Sequence, residues 1–273
     1  AIRLWLSFQS FKRGPERFQD CFERALGIAD SCDLLVMPVL FNRWHDCLLD
    51  YGGVYVDHFL PEVSWVQAED QFTPFVEAIV GPHSDDQRIL AWDLCNEPFS
   101  YLCDPEQIPE MVDAEFAWLE GLYRQCKDVG AQAPITVGIH PGHELDGIRQ
   151  IEPISDILSI HPYWTDDSPP HPTHDYERLL DQYVEFSEQV NKPLLATETC
   201  WGSTDDEQRV EIIRYTLTQL KKRGIGWLVY LLHHSLIADA HREEYGPLGK
   251  PGNLSFIEAD GSLRPGHDIW NEF

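Results

Sequence analysis

Apolar positions along this 273-residue chain fall into two recurring patterns. Short, near-continuous apolar runs stand at 2–8 (IRLWLSF), 34–40 (LLVMPVL), 89–95 (ILAWDLC), 135–139 (ITVGI), 154–160 (ISDILSI), 193–197 (PLLAT) and 225–232 (IGWLVYLL), and each reads as a strand. Between them the spacing turns helical. Residues 15–29 set Phe18, Phe22, Leu26 and Ala29 at helical intervals, and 206–222 do the same with Val210, Ile213, Leu217 and Leu220. Further helices are predicted over 72–80, 110–127 and 176–190, with a short one near 265–273.

Strands that are apolar throughout, each followed by an amphipathic helix, predict a parallel sheet covered by helices. Two α/β architectures satisfy that pattern, an open doubly wound sheet and a (β/α)8 TIM-type barrel. A Gly-rich phosphate loop would favour the open sheet, and neither GxGxxG nor GxxxxGK(S/T) occurs. No repeat, low-complexity block or linker splits the chain, so 1–273 reads as one domain. About thirty residues separate Leu40 from the next helix and a similar stretch follows Leu232, and connections of that length are usually functional. Both follow strands, which in a barrel puts them on the active-site face. Within the second, 256–263 (FIEADGSL) reads as a hairpin turning at Asp260-Gly261.

Composition narrows the partners. Hydrophobic residues make up 43% and charged residues 24%, a globular balance. The formal charge of −26 repels phosphate, which argues against nucleic acid and anionic membranes and leaves a neutral partner. No apolar run approaches the about 20 residues of a membrane helix, and no basic start followed by an apolar stretch marks a signal peptide. The first residue is Ala1 rather than Met, which allows for removal of something upstream. Seven cysteines (21, 32, 47, 95, 103, 126 and 200) are scattered without a CxxC spacing, so neither a zinc knuckle nor a disulfide framework is expected. Read as reduced core residues, they tilt localisation slightly toward the cytoplasm over secretion.

The candidate chemistry stands at strand ends. Asn96, Glu97 and Pro98 follow one run, His161, Pro162, Tyr163 and Trp164 another, and Glu198, Thr199, Cys200 and Trp201 a third. Arg3 lies in the first strand, and His233 and His234 follow the last. Two carboxylates among aromatic and neutral hydrogen-bonding side chains suit sugar chemistry. Glycosidic cleavage needs one acid to protonate the leaving oxygen and one carboxylate facing the anomeric carbon. Aromatic faces meanwhile stack on pyranose C–H faces. Plainer roles account for other residues. Asp93 reads as a buried hydrogen bonder, Trp118 and Trp270 as helix packing, and Trp5, Trp92 and Trp227 as strand residues. Trp44, Trp164 and Trp201 follow strand ends as sugar platforms. His171, His174 and the HEL at His143 read as solvated loop residues, because neither HExxH nor a carboxylate ladder makes a metal site there. Neither metal nor cofactor is expected.

WDLCNEP (92–98), SIHPYW (159–164) and LLATETCWG (194–202) resemble the strand-four, strand-six and strand-seven motifs of clan A glycoside hydrolases, above all family 5, the cellulase and mannanase group. The resemblance implies a (β/α)8 barrel and retaining β-glycoside hydrolysis by double displacement. It implies Glu97 as acid/base after Asn96, and Glu198 as nucleophile. It also makes His161 and Tyr163 the strand-six pair, with the tyrosine on the nucleophile's carboxylate, and Arg3 the strand-two arginine. Retention would set the two carboxyl groups about 5 to 5.5 Å apart.

Three departures accompany the likeness. Tyr230 stands where the family carries a tryptophan under the sugar. Phe41 and Asn42, with His45 slightly further on, occupy the place of the strand-three histidine. If Arg3 belongs to strand two, the first strand is missing and seven strands remain, with an open edge that a partner copy could cover. The expected substrate is a neutral β-linked carbohydrate of glucan or mannan type. The alternatives are a carbohydrate-binding pseudoenzyme on the same fold, or another clan A activity such as β-galactosidase or β-xylanase.

Overall fold

The first apolar run divides between two elements. β1 (Ile2–Trp5) ends short of Phe8 because Ser7 caps a helix, its Oγ accepting from the Ser10 amide at 3.2 Å. α1 (Phe8–Arg13) stops at Gly14, and Pro15, whose missing N–H costs nothing at a helix start, opens α2 (Pro15–Asp30). The computed structural model describes residues 1–43, 72–100, 106, 108–164, 173–232 and 254–273. Along them follow β2 (Val36–Asn42), α3 (Thr73–Ile79), β3 (Trp92–Asn96), α4 (Pro109–Asp128), β4 (Ile135–Ile139), α5 (Glu144–Ile151), β5 (Leu158–Ile160), α6 (Thr173–Val190), β6 (Leu194–Ala196), α7 (Asp206–Lys222) and β7 (Gly226–Trp227). A 3-10 turn spans His267–Glu272. Strands alternate with helices as the barrel-type reading requires, with seven strands among the described residues.

Two compact units are distinct: Ala1–His140 with Asp146–Leu158, and Pro141–Leu145 with Ser159–Phe273. In the first, β1, β2, β3 and β4 lie parallel in that order, with Arg3 opposite Met37, Asn42 opposite Asn96 and Asn96 opposite Gly138. Every residue of β2, β3 and β4 is buried, as strands covered on both faces must be. The core beside them is aromatic: Phe8 packs 5.0 Å from Phe72 and 5.6 Å from Phe75, and Phe41 lies 5.2 Å from Trp118. In the second unit, β6 pairs in parallel with β7, Leu195 opposite Gly226. The Thr197 amide donates to Ile160 O at 3.0 Å, tying β6 to the end of β5.

The elements differ from the sequence reading at a few places. Pro153 starts a 3-10 turn over Glu152–Ile154, and Asp156 then accepts from the Ile135 amide through its side chain, so β5 begins only at Leu158. The HEL segment is not a solvated loop: Glu144 begins α5, which buries Ile148 and Ile151. His174 falls in α6, which starts at Thr173. The run at 225–232 keeps its extended course, with the Leu228 and Tyr230 amides donating to Ala196 O and Thr199 O, although regular strand covers only Gly226–Trp227. The expected hairpin is present, Ile257 bridging Leu263 in antiparallel fashion. Most of both long connections (44–71 and 233–253), together with Trp44, His45, His171, His233 and His234, lies outside the described residues. Of the described cysteines, Cys95, Cys126 and Cys200 are buried and Cys21 and Cys32 exposed, so core packing accounts for three of them. No helix among the described residues is long and apolar enough to cross a membrane.

Candidate active site

The first unit holds Glu97 by its backbone. Its amide donates to Gly138 O at 2.8 Å, continuing the β3–β4 ladder one residue past the strand, and its carbonyl accepts from Ser100 Oγ at 2.8 Å. Between these anchors Glu97 takes φ +53°, a left-handed conformation uncommon in non-glycine residues. The side chain is buried, with the residue 5% exposed.

Beside it stands a hydrogen-bonded row. Arg3 donates to Asp93 Oδ2 through Nε (3.1 Å) and Nη2 (2.7 Å), and Nη2 also reaches Asn96 Oδ1 at 2.8 Å. Asn96 Nδ2 in turn donates to Asn42 Oδ1 at 3.0 Å. Asp93 also accepts from the Gly138 amide at 3.2 Å, so it is the buried structural hydrogen bonder expected of it. Just past β2, the Arg43 amide donates to Asn96 O at 3.0 Å, and its guanidinium forms a buried ion pair with Glu115 of α4.

The second unit orients Glu198. Tyr163 donates its hydroxyl to Glu198 Oε1 at 2.5 Å, which fixes the plane of the carboxylate. Trp201 meets the Tyr163 ring edge-on, centroids 5.1 Å apart at 85°. His161, buried, shares a hydrogen bond with Thr197 Oγ1 at 3.1 Å, directly before Glu198. Two groups hold the His161–Trp164 turn by one carbonyl: Thr199 Oγ1 (2.9 Å) and Tyr176 OH (3.1 Å) both donate to Pro162 O. Cys200 takes φ +66°, and burial pushes its thiol up to about 12. Trp164 lies on Tyr215 of α7, centroids 4.2 Å apart, while Trp201 and Tyr230 are both half-buried.

Solved structures with this fold come from carbohydrate enzymes. The endo-1,4-β-D-mannanase of Thermotoga petrophila RKU-1 matches with a TM-score of 0.61 at 15% identity, over 93% of this chain and 79% of its own. A β-glucuronidase of Bacteroides uniformis matches with a TM-score of 0.65 at 16% identity, over 89% of this chain, which spans only 28% of that protein. A β-galacturonidase of Eisenbergiella tayi gives 0.63 at 16% identity, over 90% of this chain and 41% of its own. No family model matches the chain, and no curated protein matches it in sequence. The likeness is one of fold. It establishes the TIM-barrel type, in which functional groups gather at the C-terminal ends of strands. Asn42, Asn96, Glu97, His161, Glu198 and Tyr230 all stand at or just beyond such ends.

Three residues escaped the sequence reading. Thr197 bonds both His161 and Ser159, and only its place next to Glu198 hinted at it. Asn42 was read as a histidine missing and not as a residue present. Arg209 occupies the buried face of α7 with Ile212, Ile213, Thr216, Leu217 and Leu220, whereas Val210, expected there, is half-buried. A lone arginine in helical register with apolar residues was the available signal. Its guanidinium donates to Ser255 O (2.8 Å), Tyr230 O (3.4 Å) and Leu254 O and covers the Phe256 ring at 4.6 Å. Burial pulls it down to about 9.

Proposed function

We propose that this chain is a retaining β-glycoside hydrolase, acting as one catalytic domain on neutral β-linked saccharides of glucan or mannan type. The observation that carries the reading is Glu198, a buried carboxylate just past a barrel-type strand, oriented by the Tyr163 hydroxyl at 2.5 Å. Glu97, held in a left-handed conformation directly after Asn96, is the second carboxylate.

In the first step a Glu198 oxygen attacks the anomeric carbon. The bond to the leaving oxygen breaks, and that oxygen takes the proton of Glu97. In the second, Glu97 removes a proton from water, the water oxygen attacks the same carbon, and the Glu198 carboxylate is released. Asn96, His161, Trp201, Tyr230, Trp164 and Trp44 bind the sugar around these groups, and Arg3 supports them. The formal charge of −26 favours an uncharged saccharide over a uronide, whose carboxylate would meet a field of its own sign.

Hydrolysis of aryl β-glucoside, β-mannoside, β-xyloside and β-glucuronide, followed by NMR of the first-formed anomer, tests the reading. Turnover of a neutral glycoside with retained configuration is expected. Glu198→Ala should lower it by about 10⁴-fold or more with the fold intact. Inversion, or activity unchanged in Glu198→Ala, would overturn the mechanism. Binding of oligosaccharide without turnover would instead make the chain a pseudoenzyme.

A further inference from the structure

We infer that Asn42 is a positioning residue for this reaction, restraining the Nδ2 end of the Asn96 amide where it meets the substrate. The inference rests on the glycosidase reading and adds a residue to it. Its basis is the direction of the hydrogen bonds along the row Asp93, Arg3, Asn96 and Asn42.

A guanidinium has donors and no acceptor. Arg3 Nη2, 2.8 Å from the side-chain amide of Asn96, must therefore face its oxygen, which settles an orientation that amide shape alone leaves ambiguous. Arg3 is itself held, because Asp93, fully buried, takes two of its N–H groups and is anchored in turn by the Gly138 amide. With Oδ1 turned to Arg3, Asn96 Nδ2 points to Asn42, which answers with its own Oδ1 at 3.0 Å. Asn42 stands opposite Asn96 in the β2–β3 register, so backbone pairing sets the spacing of the two amides. Both are about 1% exposed.

Among the described residues Asn42 is the one partner of Nδ2, which leaves the second amide hydrogen for the substrate. Asn96 thus meets sugar as a donor. On the glycosidase reading Asn96 faces the same ring as Glu97, and the hydroxyl assigned to it is the one beside the anomeric carbon, where hydrogen bonds strengthen in the transition state. Without Asn42 the amide keeps its bond to Arg3 but loses the restraint on its second end.

The test compares an aryl β-glycoside that the protein hydrolyses with its 2-deoxy counterpart. Asn42→Leu should lower kcat/KM on the parent glycoside by about tenfold or more, mainly in kcat, and change the 2-deoxy glycoside by less than about twofold. Asn42→Asp, which keeps an acceptor oxygen, should recover most of the loss. Should the leucine variant fail to fold, Asn42→Ala, which leaves room for water, carries the same comparison. Equal losses on the two substrates would mean a structural role only and overturn the inference, as would no loss on either. A wild-type protein that hydrolyses no β-glycoside overturns the glycosidase reading itself, and this inference with it.

Discussion

Tyr163 makes two contacts that a single substitution separates. Its hydroxyl restrains Glu198 at 2.5 Å, and its ring is held edge-on by Trp201. Tyr163→Phe removes the first and leaves the second. Steady-state kinetics should show kcat/KM falling about 10- to 100-fold, with stability changed by no more than about 1 kcal/mol. An unchanged rate would remove Tyr163 from the site. The motif HPYW singles this residue out in the sequence. By contrast, nothing local announced the left-handed conformations of Glu97 and Cys200, since φ +53° and φ +66° arise at residues that are not glycine. Hydrogen bonds to Gly138 of β4 and from Ser100 bracket the first of them.

Among the elements, α7 is the most informative. Its bounds follow from local rules: Asp205 caps the start by accepting from the Gln208 amide at 2.7 Å, and Lys221 and Lys222 close the last turn. What its buried face does is not local. Arg209 reaches three carbonyls of the chain beyond β7 and substitutes for a regular ladder there, which accounts for the two residues of strand found where eight apolar ones were read. Arg209→Met would strand those carbonyls, and the expected cost is about 2 to 4 kcal/mol, read as a lower urea midpoint at unchanged slope. A variant as stable as the wild type would show that the carbonyls find other partners. α5 lies where the HEL at His143 reads as solvated loop, and its burial of Ile148 and Ile151 gives it a packed face.

Over the whole molecule, acid sensitivity follows from paired carboxylates in the first unit. Hydrogen bonding from Arg88 holds Glu23 and Asp86 below their ordinary values. At Asp156 burial pushes upward, but Lys127, the Ile135 amide and Tyr123 together bring it below the usual range. A carboxylate whose value is lowered by folding stabilises the native state above its unfolded value and loses that contribution as pH falls through the folded one. Stability to urea should therefore hold steady from pH 7 to about 5 and decline below about 4. Arg88→Met should flatten the decline in part, because Glu23 and Asp86 would lose the side-chain hydrogen bonds that lower them most, while His83 and the residue-88 amide keep their effect. A decline of the same steepness in that variant would assign the acid sensitivity elsewhere.

Periodicity alone determined the strand–helix alternation, because burial on both faces of a parallel strand demands a continuous apolar run and a covering helix demands a stripe. Short motifs at the ends of those runs singled out Glu97, Glu198 and Tyr163, since residues that adjoin along one strand end stay together however the chain folds. Tertiary structure alone decided the rest. Asn42 and Asn96 are 54 positions apart, and Arg3 and Asp93 are 90 apart, so their pairing depends on strand register. Arg209 is read as an anchor only once the carbonyls it holds are in place. Interactions between residues distant in sequence leave no mark in local pattern, and those interactions orient the groups that the motifs reveal.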